Sequence, residues 1–176
     1  MNIETKREVF SWVKAIGIAL VIGFILKYFV FRPVGVLSYS MEPTLKEGDV
    51  VILWKFGYNF KEPKRGDIIV INNEDKIQDK SLVKRIIGLP KENIKIKDQK
   101  VYIDSKELKP DYTDKTTDSS KKIDIVIPKE KYFAMGDNRP NSRDSRDKSV
   151  GLIDEDNIEG KVIFRIWPLN RFGTVK

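Results

Sequence analysis

The stretch SLVKRIIGLP, Ser81 to Pro90, sets two cations, Lys84 and Arg85, inside an otherwise apolar run that ends in a Gly-Leu-Pro turn. Its β-branched residues and its turn-forming end predict a strand. Side chains alternate across a strand, so Leu82, Lys84 and Ile86 share one face and Val83, Arg85 and Ile87 the other. Alternation alone does not decide which face is inward. One reading is an edge strand whose charges discourage unwanted pairing. The other places the Lys84 ammonium among apolar side chains, where burial disfavours the charged form. A desolvated lysine can serve as a base, whereas an arginine stays protonated.

The same pattern extends outward from this run. DVVILWKF (49–56), GDIIVIN (66–72), NIKIKDQKVYID (93–104), KIDIVI (122–127), KYFAMGD (131–137) and KVIFRIWP (161–168) are short β-type runs broken by Gly, Pro, Asn and Asp. Residues 32–176 are therefore expected to form one mainly β domain, with a low-apolar loop at Lys109 to Lys122 and a short helix near Ile153 to Ile158. KENIKIKDQKVYIDSKELKP reads as a hairpin turning at KDQK, its alternating lysines facing water. Residues 91–130 are accordingly read as a small peripheral β excursion.

Ahead of the β runs lies FSWVKAIGIALVIGFILKYFVF, Phe10 to Phe31, whose only charges are Lys14 and Lys27. As a helix at about 1.5 Å per residue these residues span roughly 33 Å, enough for a hydrocarbon core of about 30 Å. The lysines can snorkel to head groups, and Trp12, Tyr28 and Phe31 lie where aromatic belts form. The expectation is one transmembrane helix over residues 10–31, with residues 1–9 cytoplasmic. Arg32-Pro33 is read as the helix end. Lys6, Arg7 and Lys14 before the core, against Arg32 and Lys46 after it, favour that orientation. The uncharged core from Ala15 to Leu26 also has the length of a cleavable signal or a buried helix, but no Ala-x-Ala site follows it.

Composition removes whole chemistries. The chain has no cysteine and no histidine, so it has no thiol nucleophile, no Ser-His-Asp triad and no thiolate or imidazole zinc site. Neither a metal nor another cofactor is expected. Its net charge of +7 is spread among interspersed acids and bases without a basic stripe, so no nucleic-acid partner is expected.

Two further stretches stand out. In LSYSMEPTL, Leu37 to Leu45, Ser38 and Ser40 precede a proline turn; taken alone they read as surface or capping groups. MGDNRPNSRDSRDKSVGLI, residues 135–153, reads by itself as a polar loop that side-chain hydrogen bonds could make rigid, with Asp144 and Arg146 able to pair.

Together the three resemble the type I signal peptidases, membrane-bound Ser-Lys proteases that remove signal peptides from exported proteins. Ser-x-Ser-Met-x-Pro-Thr-Leu stands at Ser38 to Leu45, Lys-Arg-Ile-Ile-Gly-Leu-Pro at Lys84 to Pro90, and Gly-Asp-Asn-Arg-x-Asn-Ser-x-Asp-Ser-Arg at Gly136 to Arg146. The order and the closing SVGLIDEDNIEGKVIFRIWP are also similar, and the short anchor is most like that of Gram-positive members. Tyr39 and Pro140 depart from residues common at those places.

The resemblance implies a signal-peptidase-type β fold, with antiparallel sheets that are partly barrel-like, behind the N-terminal transmembrane helix. It implies Ser40 as nucleophile and Lys84 as general base. Ser38 would join the Ser40 amide at the oxyanion, Ser142 would hydrogen-bond and orient Lys84, and Asp144 with Arg146 would support the loop. Val36, Leu37, Met41, Leu45 and Val83 would line a groove for small side chains at the first and third positions before the cut. The implied partners are preprotein signal peptides and membrane lipid, with the catalytic domain on the extracellular face of the plasma membrane. Bringing a lysine from its reference pKa of about 10.4 to roughly 7 to 8 takes some 4 kcal/mol of ammonium destabilisation, which an apolar pocket can supply. Rival readings are a self-cleaving repressor-type or pilin-processing Ser-Lys protease, and an inactive membrane-tethered β module that keeps the motif as structure.

Overall fold

The computed structural model describes residues 3–25, 30–59, 61–72, 81–118 and 122–175. The proline-free apolar N-terminal run forms α1 (Ile3–Ile25), which starts seven residues before the expected span. Phe10 and Trp12 are each 71% exposed along it and Leu20 69%, so none of the described residues covers that surface. Among the described residues, no helix is long and apolar enough to cross a membrane. Lys27 and Tyr28 lie outside the described residues.

Phe31, expected to close the helix, instead opens β1 (Phe31–Gly35), which also takes in Arg32 and Pro33. The reason lies in the proline. Pro33 has no N–H to donate and is tolerated only where one strand edge is unpaired. β1 meets that condition, because among the described strands it ends the sheet and pairs only with β2 (Val50–Trp54), placing Pro33 opposite Ile52.

The chain continues through β3 (Ile68–Asn72), β4 (Ser81–Gly88), β5 (Asn93–Lys97), β6 (Lys100–Ile103), β7 (Lys106–Glu107) and β8 (Ile123–Val126). It returns through β9 (Lys131–Met135), β10 (Ile153–Asp154), β11 (Ile158–Trp167) and β12 (Gly173–Thr174). The larger sheet runs β1-β2-β11-β3-β4-β9-β10 with β12 on β11, and the smaller runs β7-β6-β5-β8. Pairing is antiparallel in both. Among the described strands the large sheet does not close into a barrel: β10 at its far end has only two residues and pairs with β9 alone.

β4 lies between β3 and β9 and is buried on both faces from Lys84 onward. The edge-strand reading is thereby overturned. Leu82 and Ile86 pack with Ile69, Ile71, Tyr132 and Ala134, while Ile87 joins Ile94, Val101, Phe133 and Met135. That second cluster ties the smaller sheet, within residues 91–130, to the larger one. In the β5–β6 hairpin Ile94 and Ile96 point inward and Lys95 and Lys97 outward, and both turn residues, Asp98 and Gln99, adopt positive φ as a two-residue loop requires. The helix expected near Ile153 to Ile158 is instead β10 followed by one 3-10 turn, Glu155–Asn157.

β11 carries a bulge between Ile158 and Gly160 where it meets β3. Gly160 has φ 154°, and a Cβ there would lie 2.4 Å from the Trp54 carbonyl oxygen. Gly160→Ala is expected to cost at least about 1–3 kcal/mol from the backbone conformation alone. Denaturant unfolding of the full chain in detergent checks it; an unchanged midpoint contradicts it.

Candidate active site

Directly after β1 the chain makes a 3-10 turn, Tyr39–Met41, closed by the Glu42 amide donating to the Tyr39 carbonyl at 3.1 Å. A second bond, from the Leu45 amide to the Met41 carbonyl at 2.9 Å, continues the turn. The Met41 and Leu45 side chains are fully buried with Val36, Val51 and Leu53, and they anchor the turn in the core. Ser40 is thereby held at the surface of that core.

The Lys84 ammonium group, on a residue 3% exposed, donates to Ser40 Oγ at 2.8 Å and to the Val83 carbonyl at 2.9 Å. Ser38 Oγ lies 3.2 Å from Ser40 Oγ. The backbone of this turn is fixed by Asn138, whose amide donates to the Ser40 carbonyl and whose side-chain nitrogen donates to the Tyr39 carbonyl, both at 3.1 Å. Two serines and a lysine distant in sequence thus meet within hydrogen-bonding reach.

The polar stretch after β9 packs against the same point. Asp144, fully buried, takes Arg146 Nε and Nη2 at 2.8 Å each and receives the Gly136 amide at 3.0 Å. Arg146 Nη2 also donates to the Arg139 carbonyl at 2.7 Å. Ser142 Oγ is buried and has no hydrogen-bond partner among the described residues, so the bond to Lys84 expected from the resemblance is not formed. It sits over Gly136, where a Cβ would be 2.3 Å from Ser142 Oγ and 2.3 Å from the Ser40 carbonyl oxygen. Only glycine fits between them. Tyr39, exposed between the two serines, has its phenol pushed up by a hydrogen bond to Glu47.

A cavity of about 560 Å³ opens beside Ser40 and Lys84, lined also by Val34, Val36, Leu37, Ser38, Met41, Leu82 and Val83. Of the expected groove residues, Leu45 is the one this cavity lacks. Fully buried beneath the turn, it serves the core rather than the groove wall.

Sequence reasoning missed the partner of Arg85. Its Nε and Nη2 meet Asp137 at 2.9 and 2.7 Å, with the two side chains 2% and 1% exposed. Arg85 Nη1 donates to the Gly66 carbonyl at 2.9 Å, and its guanidinium stacks 3.9 Å from the Tyr112 ring centroid. Thr44 Oγ1 donates to Asp137 at 2.6 Å and accepts from Arg85 Nη2 at 3.3 Å. Burial pushes the Tyr112 phenol up, opposed by Arg139 and Arg85, and pushes the Arg139 guanidinium down. The one local signal was an arginine inside an apolar strand.

The family described as signal peptidase, peptidase S26, matches residues 9–167. The chain belongs to that family. Signal peptidase I of Bacillus licheniformis is 36% identical over 94% of this chain and 92% of its own, and Signal peptidase I T of Bacillus subtilis is 39% identical over 94% and 89%. A signal peptidase I of solved structure from Enterococcus faecalis, 30% identical, covers 57% of this chain and 97% of its own with a TM-score of 0.47. As a member of the signal peptidase family the chain is a serine endopeptidase.

The Arg85–Asp137 pair generates a stability test. Removing one member strands a buried charge, which typically costs about 3–5 kcal/mol. Asp137→Ala is expected to lose stability on that scale in denaturant unfolding, whereas Lys95→Ala, which removes an exposed partner of Asp124, is expected to lose under about 1 kcal/mol.

Proposed function

We propose that this signal peptidase is a membrane-anchored endopeptidase that releases exported preproteins by cutting after small-x-small sites, with Ser40 as nucleophile and Lys84 as general base. The observation that carries the reading is the 2.8 Å contact between Lys84 Nζ and Ser40 Oγ beside the cavity. With histidine and cysteine absent from the chain, no imidazole or thiol competes for either role.

A serine hydroxyl attacks a peptide carbonyl well only when a neighbouring base takes its proton. Burial disfavours an ammonium relative to an amine, so the environment of Lys84 favours the form that can accept. Ser40 Oγ bonds to the scissile carbon as its proton passes to Lys84 Nζ. The resulting oxyanion is held by the Ser38 hydroxyl and the Ser40 amide, a single such donor being worth about 3 to 4 kcal/mol. Lys84 then gives the proton to the leaving amine. Water, deprotonated by Lys84 Nζ, attacks the acyl carbon, and as the bond to Ser40 Oγ breaks Lys84 returns the proton to that oxygen.

Ser142 is the hydroxyl available to orient Lys84 through this cycle, since its oxygen is buried and unpaired among the described residues. Asp144 and Arg146 hold its loop. Val36, Leu37, Met41 and Val83 form the wall that admits only small side chains before the cut.

The apolar N-terminal run ahead of β1 anchors the chain as a single span, with residues 1–9 cytoplasmic and the β domain from Phe31 onward on the extracellular face. Support comes from α1, whose Phe10, Trp12, Val13, Leu20, Val21 and Phe24 are all more than half exposed. Apolar surface around a whole helix needs an apolar medium to cover it.

Purified full chain in detergent is expected to process a preprotein with no added metal or nucleotide, and Ser40→Ala and Lys84→Arg to abolish processing while remaining folded. Full activity in either variant removes the dyad. The anchor is tested by alkaline carbonate extraction of membranes: the intact chain is expected in the pellet and a chain lacking residues 1–31 in the supernatant. Release of the intact chain contradicts the anchor.

A further inference from the structure

Asp49 is a carboxylate 2% exposed that takes no part in the chemistry above. It stands just before β2 and receives Arg171 Nη1 at 2.9 and 3.1 Å, Arg165 Nη1 at 3.5 Å and the Lys46 amide at 2.9 Å. Both guanidinium groups reach further. Arg165 Nη1 and Arg171 Nη2 donate to the Thr44 carbonyl at 3.0 and 3.2 Å, and Arg165 Nε donates to the Arg171 carbonyl at 2.6 Å.

Thr44 is four residues beyond Ser40 and is held from two sides. Its carbonyl is gripped by two cations from the C-terminal stretch, and its hydroxyl by the buried Asp137. A carbonyl has two lone pairs, and here both meet charged donors, which make hydrogen bonds roughly twice as strong as neutral ones. The bond from the Leu45 amide to the Met41 carbonyl passes this restraint to the turn that carries Ser40.

The apolar contacts of the C-terminal stretch are few: Val175 packs against the core of the large sheet, and the Phe172 ring meets Phe164 edge-on at 4.8 Å. Leu169 is 70% exposed and Phe172 59%, and β12 contributes only two residues to the sheet. The polar links of this stretch are the half-buried guanidinium groups of Arg165 and Arg171, whose side chains are 14% and 24% exposed.

We propose that Asp49, Arg165 and Arg171 form a clamp through which the C-terminal stretch positions the Ser40 turn for attack. The three are positioning residues, acting on the nucleophile through Thr44, and the proposal rests on the reading of Ser40 as that nucleophile. A carboxylate between two guanidinium groups sets their spacing, and their spacing sets where the Thr44 carbonyl lies. Loosening the clamp leaves the Ser40–Lys84 contact without its fixed distance while the groove wall stays in place.

The test compares full-length wild type, Arg171→Gln, Arg171→Lys, Asp49→Asn and Ser40→Ala in detergent, by preprotein kcat and KM, by the rate at which a serine-reactive acylating probe labels Ser40, and by thermal midpoint. Arg171→Gln and Asp49→Asn are expected to lower kcat and the labelling rate by about ten- to a hundredfold, the scale that misplacing a reacting group by an ångström costs. KM should stay within about twofold, because the groove is untouched. Arg171→Lys should recover part of the loss, since one ammonium can reach Asp49 or Thr44 but cannot span both. Wild-type kcat in folded Arg171→Gln overturns the clamp, as does a kcat loss that merely follows the unfolded fraction. Should Arg171→Gln not fold, Arg171→Lys decides by the same readout, full kcat overturning the proposal. Ser40→Ala separates the two ideas. If it is active, the nucleophile reading falls and the clamp with it; if it is inactive beside a fully active Arg171→Gln, the clamp alone falls.

Discussion

Two cations adjacent in the chain, Lys84 and Arg85, are buried together on β4, and much of the structure around them offsets their desolvation. Taking a charge out of water costs several kcal/mol unless hydrogen bonds and counter-charge replace the lost hydration. Arg85 receives that replacement in full. A bidentate carboxylate, a carbonyl, a hydroxyl and an aromatic face surround its guanidinium. The partners of Lys84 include a hydroxyl and a carbonyl, both neutral acceptors. A carboxylate fixes a positive charge in place, whereas a neutral acceptor tolerates an amine that gives and takes a proton. On the proposed reading, neighbouring positions of one strand thus do opposite work, Arg85 in structure and Lys84 in chemistry.

The same need explains why distant segments converge. Asp137 has to lie in the stretch after β9 to reach Arg85, and Asn138, next to it, then meets the Tyr39 and Ser40 carbonyls. Gly136 keeps Ser142 and Ser40 close by carrying no side chain. Asp144, through the Gly136 amide and Arg146, holds the far side of that loop. The Ser40 turn therefore rests on two stretches distant in sequence, β4 and residues 136–146, and neither Arg85 nor Asn138 needs to touch substrate to decide where Ser40 Oγ lies.

What was legible in the sequence follows from what is local. Alternation in NIKIK placed Ile94 and Ile96 inward and both lysines outward, because a strand with one wet face writes its register into its pattern. β4 did not, since a strand buried on both faces has no polar side to read. β1 was taken for the end of a helix because an apolar run before Arg-Pro looks alike in either state; a proline at an unpaired sheet edge resolves it. Leu45 was placed in the groove wall by the resemblance, but its direction is set by the core beneath the turn. Asp137 and Asp49 went unremarked at the edges of β-type runs, because their partners, Arg85 and Arg171, are 52 and 122 residues away. Pairing over such separations leaves no mark on composition or period.

The openness of the large sheet bears on catalysis directly. Residues 34–38 at and after β1 and residues 81–84 of β4 line one cavity, although β2, β11 and β3 separate these strands in the sheet order. The sheet must curve to bring them to the same space, as right-handed twist makes it do. Had it curved on until β1 paired with a strand at the other end, the closed interior of so small a barrel would have been filled by side chains. An opening beside Ser40 survives because β1 pairs on one side only, and Pro33, which cannot donate a ladder hydrogen bond, helps keep the other side unpaired. The residue that ends the apolar N-terminal run thus also helps keep the groove open.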